Sequence, residues 1–139
     1  MAEGSGSGEH FGVSIGLHED FVVARAVGEL DYASAGLLRR QVKDTWEATK
    51  PDGLVLDLGE VSFCDSMGVG VLVLLLKQSR EQNTALVLSS IPPLLERILT
   101  ITGLRTAFQV AASVEEAIQV MQTSTPPAQP EPAPKAEPL

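Results

Sequence analysis

The segment spanning residues 54–81 joins two apolar runs through a short polar junction. The first run, residues 54–58, is short and mainly aliphatic, which is typical of a strand buried on both faces. The second run follows Ser66, and its valines alone favour a strand. Its length and the basic residues near its end favour a helix instead. We therefore expect a strand and a helix in succession, with a small hydroxyl side chain between them.

Strands and helices alternate along the rest of the chain. A polar break at residues 18–20 separates two early strands, and Asp31 is placed to be the N-cap of the first helix. Ser113 and Glu116 have the spacing of a capping box. We expect strands at residues 11–17, 21–27, 54–58, 85–88 and 108–110, and helices after Asp31, Ser66, Pro92 and Ser113. This order predicts an α/β fold: a mixed sheet of about four to five strands, covered by about four α-helices.

The length of 139 residues fits one domain rather than two. Residues 1–9 are rich in Gly and Ser, which predicts a flexible leader. Residues 124–139 are rich in Pro and Ala without apolar periodicity, which predicts a disordered tail of polyproline character. The folded domain is expected at residues 10–123.

The charge of the chain limits its partners. The formal net charge is -8, and no basic cluster is longer than two residues, so we expect no direct contact with nucleic acid. The apolar run at residues 67–76 is about half the length that a membrane span needs, so no membrane association is expected. With Cys64 as the only cysteine and no secretory signal at the start, we expect a cytoplasmic protein.

Ser66 is open to two interpretations. Its hydroxyl could be the N-cap of the helix that follows, accepting a backbone N–H. It could instead be a phosphorylation site, because a helix N-terminus tolerates an added anion. A phosphate there would add roughly 1.5 to 2 negative charges and would act mainly on a docked partner. Gly68 and Gly70 would leave the surface beside it low enough for another protein to approach.

Three stretches carry a resemblance to a known family: residues 28–31 (Gly-Glu-Leu-Asp), residues 54–61, and residues 63–70 with their Asp65-Ser66-Met67-Gly68 core. They are similar to the STAS domain of bacterial anti-anti-sigma factors, over about residues 10–123. The resemblance implies a single STAS-like domain that is not an enzyme and needs no cofactor. It also implies that the unphosphorylated protein binds an anti-sigma factor that is a serine kinase, so that a sigma factor is released. A serine phosphatase would reverse the phosphorylation.

The resemblance assigns the phosphoacceptor to Ser66. The family often has a second Ser or Thr where this chain has Met67, so no neighbouring acceptor is present here. The partner surface is expected around Ser66 and the start of the following helix, with a contribution from the loop that holds Asp31. The residues expected to form it are Asp31, Asp65, Ser66, Met67, Gly68 and Val69.

Other functions are possible from the residues alone. Asp57 could be the phosphoacceptor of a receiver domain with Glu19 and Asp20 holding magnesium, but no lysine occurs between Lys77 and Lys135 to complete such a site. Nucleotide-binding and zinc motifs are incomplete, and we expect no metal site. The alternative from another class is a STAS module that is a constitutive scaffold or subunit of a sensory or transport assembly.

Overall fold

Five strands form one sheet whose spatial order follows the chain, in a computed structural model that describes residues 11–124. The first two strands are antiparallel and the remaining neighbours are parallel, which confirms the predicted mixed α/β sheet. The strands are β1 (Gly12–His18), β2 (Phe21–Leu30), β3 (Gly53–Cys64), β4 (Ala85–Ser89) and β5 (Gln109–Ala111). The helices are α1 (Ala35–Thr49), α2 (Ser66–Glu81), α3 (Pro93–Ile101) and α4 (Val114–Ser124), and a short 3-10 helix, Arg105–Ala107, precedes β5.

The predicted leader at residues 1–9 and the predicted tail lie outside the described residues, except for Ser124, which ends α4. Within residues 11–124, no helix is both long enough and apolar enough to cross a membrane.

Two apolar layers cover the sheet, one on each face. On one face α1, α2 and α3 bury the larger cluster, in which Trp46 and Leu72 are fully enclosed. On the other face α4 alone packs against β3, β4 and β5. Residues 54–58 of β3 are all buried, as predicted: the four aliphatic ones alternate between the two layers, and Asp57 is buried with them. The middle of the sheet is therefore a rigid support for whatever follows β3.

Both β2 and β3 run further than their sequences predicted. β3 continues to Cys64 rather than ending at Leu58, and its added residues pair only with the second half of β2. A register shift follows Gly28, whose φ of 109° is in the region that only glycine adopts easily. The pairing ends at Leu30 and Cys64, so the start of α2 lies beside the end of β2.

Asp31 does not cap α1, so that prediction is wrong. Its carboxylate accepts hydrogen bonds from the N–H groups of Ala33 and Ser34, and it closes a turn before the helix begins at Ala35. Short acidic side chains stabilise such turns by bonding to the backbone two or three residues ahead. The predicted capping box of α4 is only half formed, because Ser113 accepts from the Glu116 N–H while the Glu116 carboxylate turns to the Ala112 N–H.

Ser89 provides a test of the packing at the end of β4. Its hydroxyl is fully buried and has no hydrogen-bond partner within residues 11–124. An unpaired buried hydroxyl costs about 1–3 kcal/mol, so Ser89→Ala is expected to raise the free energy of unfolding by about 1 kcal/mol or more. Ser79→Ala is the matched control: Ser79 is equally buried, but it donates to the Leu76 carbonyl. Denaturant unfolding that ranks the control as the more stable variant would contradict this account.

Candidate functional site

Ser66 is the first residue of α2 and is exposed. The helix is capped by the residue before it: the Asp65 carboxylate accepts from the N–H groups of Met67 and Gly68, at 2.9 and 3.0 Å. The Ser66 hydroxyl makes no hydrogen bond to any residue in the part of the chain that the structure describes. The interpretation of Ser66 as the N-cap is therefore wrong, and its oxygen is available to an outside molecule.

Asp65 also joins two separate segments. Its second carboxylate oxygen accepts from the Tyr32 N–H at 3.1 Å, and its own N–H donates to the Leu30 carbonyl at 3.2 Å. These bonds hold the turn of residues 31–34 against the start of α2. The structure thus brings the predicted site residues Asp31, Asp65 and Ser66 to one end of the sheet, although Asp31 is more than thirty positions from the other two in the chain.

Gly68 has a structural reason to be glycine. A Cβ atom at this position would lie 2.5 Å from the Leu30 carbonyl oxygen and 2.8 Å from the Cys64 sulfur. Real Cβ atoms do not approach so closely, so only glycine lets α2 pack against the end of β2. Gly70 differs, because it is exposed and a Cβ there would meet nothing within 4 Å. Of the two glycines expected to keep the surface low, only Gly70 lies on that surface.

The remaining predicted contact residues differ in their exposure to solvent. Met67 projects outward with 52% of its surface exposed, whereas Val69 is buried in the core together with Gly68. The expectation that Gly68 and Val69 form part of the contact surface is thus not met by their placement. They fix the position of α2 beneath Ser66 and Met67.

Large apolar side chains are exposed at this end of the sheet, and sequence reasoning missed three of them. Tyr32, Phe63 and Leu94 are 79%, 44% and 49% exposed. Tyr32 adjoins Asp65 through its backbone, while Phe63 and Leu94 line one shallow notch beside Cys64. With Met67 they form what we call the apolar rim of Ser66. The signal in the sequence was the only tyrosine of a chain poor in aromatic residues, placed directly after Asp31.

Cys64 lies beneath this surface, and its thiol has low reactivity. Burial, and to a smaller degree the negative charge of Asp65, raises the pKa of its thiol to about 11. The thiol points into the protein beside Gly68 and is protonated at neutral pH. Cys64 is thus a packing residue of the site rather than a nucleophile.

Asp57 is held in an ion pair instead of a receiver-type site. Arg25 donates to its carboxylate at 3.2 Å, and the Gly59 N–H donates to the other oxygen at 3.0 Å. β3 continues for seven residues beyond Asp57, so this carboxylate is not at the strand end that a receiver requires. No group of three or more His, Cys, Asp or Glu side chains is arranged to hold a metal ion within residues 11–124.

Comparison with known proteins agrees with this architecture. The model of the STAS domain family matches residues 13–117. The anti-sigma-B factor antagonist of Bacillus subtilis (strain 168) is 31% identical over 107 residues, which are 77% of this chain and 96% of that protein. The chain therefore belongs to the STAS-domain family of anti-sigma factor antagonists.

Solved structures share the same fold. An anti-sigma factor antagonist from Mycobacterium paratuberculosis superposes with a TM-score of 0.76 at 22% identity, over 84% of this chain and 97% of that one. The Bacillus cell fate determinant SpoIIAA, in its phosphorylated form, superposes with a TM-score of 0.62 at 22% identity, over 80% of this chain and 98% of that one. At this level of identity the similarity establishes the fold, and the chemistry of Ser66 must be argued from its own surroundings.

The two glycines of α2 give opposite predictions. Gly68→Ala is expected to lower the free energy of unfolding by about 1–3 kcal/mol, because the new methyl group overlaps a backbone carbonyl. Gly70→Ala is expected to raise it by about 0.5–1 kcal/mol, because alanine has the higher helix propensity and the site is open. Urea unfolding monitored through Trp46 fluorescence measures both. Equal effects would mean that α2 does not pack on Leu30 as described.

The pKa of Cys64 predicts slow alkylation of the native protein. At pH 8 a thiol with a pKa of about 11 has about 100-fold less thiolate than one with the ordinary value of 9.0. We expect iodoacetamide labelling to be slower by at least that factor than for the unfolded chain. Stability is unaffected by this group below pH 9 and falls between pH 9 and 11, where only the unfolded thiol ionises. Rapid labelling under native conditions would contradict the burial of Cys64.

Proposed function

We propose that this protein is an anti-sigma factor antagonist whose binding is switched by phosphorylation of Ser66. Unphosphorylated, it binds an anti-sigma factor that is also a serine kinase, and a sigma factor is released. Phosphorylation of Ser66 ends that binding, and a serine phosphatase restores it. The single observation that supports this most strongly is the free Ser66 hydroxyl, exposed at the first turn of α2 while Asp65 supplies the cap.

A serine that a kinase modifies must be exposed to solvent, and the fold must not depend on its hydroxyl. Ser66 meets both conditions, because its side chain is exposed and makes no hydrogen bond within residues 11–124. A kinase could therefore phosphorylate this hydroxyl without breaking a hydrogen bond of the folded protein. The preceding strand and the close packing at Gly68 keep the backbone of Ser66 in a fixed position, so a partner would meet a preformed surface.

The charge of a phosphate on Ser66 would affect the binding of a partner more than the stability of the protein itself. Asp65 already occupies the N–H groups of Met67 and Gly68, so a phosphate on Ser66 would remain at the surface beside a carboxylate. Two or more negative charges would then lie within one helical turn. A partner that buries the apolar rim would have to desolvate these charges, which is costly without a matching cation.

The apolar rim supports a protein partner rather than a small ligand. Tyr32, Phe63, Met67 and Leu94 are exposed side chains of the kind that anchor protein interfaces. Asp31 contributes to this surface indirectly, because its carboxylate fixes the turn from which Tyr32 projects. We assign the partner contact to this rim together with Asp65 and Ser66, with Gly70 allowing close approach along α2.

Two substitutions of Ser66 test the switch. With a cognate anti-sigma factor kinase and ATP, Ser66→Ala is expected to incorporate no phosphate and to retain binding. Ser66→Asp is expected to weaken binding by at least tenfold, or about 1.4 kcal/mol, because it adds a charge at the contact. Phosphopeptide mass spectrometry locates the phosphate, and titration calorimetry measures the affinity.

Gln119→Glu is the matched control, because it adds the same charge at an exposed position on α4, which covers the opposite face of the sheet from α2. It is expected to leave binding and phosphorylation unchanged. Phosphate at another residue would refute the assignment of the acceptor. Binding that ignores both Ser66 substitutions would favour the alternative, a constitutive STAS scaffold.

A further inference from the structure

β1 is an edge strand without the usual protection. Within residues 11–124 it pairs only with β2, and its residues 14–18 are all exposed. Exposed edges of natural sheets are commonly blocked by charged residues, proline or bulges, because their free N–H and C=O groups can pair with another strand. Residues 12–17 contain no charged residue and no proline, and their pairing with β2 has no register shift.

The side chains of β1 alternate in a way that suits further pairing. Ile15 and Leu17 pair with Ala24 and Val22, so they lie on the face of the sheet that α1 covers. Leu17 nevertheless remains 68% exposed and Ile15 37% exposed. The opposite face of this strand has only Gly12, Ser14, Gly16 and His18. A neighbouring strand would meet an apolar row on one face and a nearly bare backbone on most of the other.

We propose that a second copy of this chain pairs with β1 in antiparallel orientation, so that one sheet runs through both copies. The twofold axis passes through Ile15, which then faces the partner's Ile15. In this register Val13 lies opposite the partner's Leu17, so all three apolar residues of the row find apolar partners. Cross-strand pairs of β-branched and aliphatic residues are the units that stabilise a sheet.

The charges of the chain favour the antiparallel orientation. Each copy has a formal net charge of -8, so most surfaces of two copies repel. The uncharged edge of β1 is an exception, and antiparallel pairing about Ile15 places the two Glu19-Asp20 turns at opposite ends. Eight residues separate them along the sheet, about 27 Å, which is well beyond the Debye length of about 8 Å at physiological ionic strength. An axis at Gly16 would instead place the partner's Glu19 against Val13.

The expected dimer is weak and leaves Ser66 free. A seven-residue strand edge offers less than the roughly 800 Å² per partner of a standard stable interface, so we expect association that depends on concentration. The apolar rim, Asp65 and Ser66 lie outside β1, and pairing there would present two such surfaces in one particle. Residues 125–139 are the competing occupant within the chain, but six of these fifteen residues are prolines, which cannot donate to a ladder.

Sedimentation of the full-length protein over a wide concentration range provides the first test. We expect a monomer–dimer equilibrium that Ile15→Lys shifts toward the monomer by at least tenfold in Kd. Ile101→Lys, which makes the same substitution at an exposed isoleucine outside both β1 and the apolar rim, is expected to leave it unchanged. Circular dichroism and thermal melting establish that both variants are folded. A protein that stays monomeric at all concentrations would overturn the proposal, as would equal effects of the two variants.

Disulfide trapping tests the register. Under mild oxidation Ile15→Cys is expected to form a covalent dimer, because opposite residues of an antiparallel pair have Cα atoms about 4.5–5.5 Å apart. Leu17→Cys is expected to form none, since its counterpart lies four residues away, about 14 Å along the strand. The buried Cys64 thiol provides little background. Cross-linking at Leu17 but not at Ile15 would refute this register.

Hydrogen exchange of residues 12–17 identifies the occupant of the edge. Protection that grows with protein concentration is the result expected for a second copy. Protection in a monomer that does not depend on concentration would identify a segment of the same chain and would overturn the proposal. These outcomes are independent of Ser66, so a failure here leaves the proposed phosphorylation switch intact, and the reverse also holds.

Discussion

The carboxylate of Asp65 is the interaction on which the site depends. One oxygen caps α2 through the N–H groups of Met67 and Gly68, and the other holds the Tyr32 N–H. The close contact of Gly68 with the Leu30 carbonyl completes the junction, because it lets α2 begin directly against the end of β2. Helix, strand end and turn are thereby fixed relative to one another by local hydrogen bonds and one tight backbone approach, without any metal ligand or disulfide in residues 11–124.

The order of the elements could be predicted because it follows from local sequence patterns. Three such patterns can be recognised without tertiary information: the mainly aliphatic residues 54–58, the apolar stripe of α4, and Pro93 at the start of α3. The end of β3 could not be predicted, because residues 60–64 are held by long-range pairing with residues 27–30 of β2, beyond the register shift that follows Arg25. The role of Asp31 was misjudged for a related reason: an aspartate that starts a turn and one that starts a helix have the same local signature.

The candidate site was predictable as a position but not as a surface. Ser66 could be placed at a strand-to-helix junction from the flanking apolar runs, and the family resemblance gave it a chemical role. The apolar rim could not be foreseen, since Tyr32, Phe63 and Leu94 come from three elements that only the fold brings together. Conversely, Gly68 and Val69 lie in the right segment of the sequence but face the core, because successive helical residues point in different directions.

The separation of the cap from the acceptor has an evolutionary consequence. Because Asp65 stabilises the helix and the Ser66 hydroxyl forms no bond within the described fold, residue 66 can change with little effect on folding. In the proposed switch, selection on kinase recognition at this position is separate from selection on stability. Lineages could lose or regain a hydroxyl here in single steps and pass between regulated and constitutive forms through intermediates that all fold. The same freedom would be absent if the serine were its own cap, since each loss would then cost the helix its start.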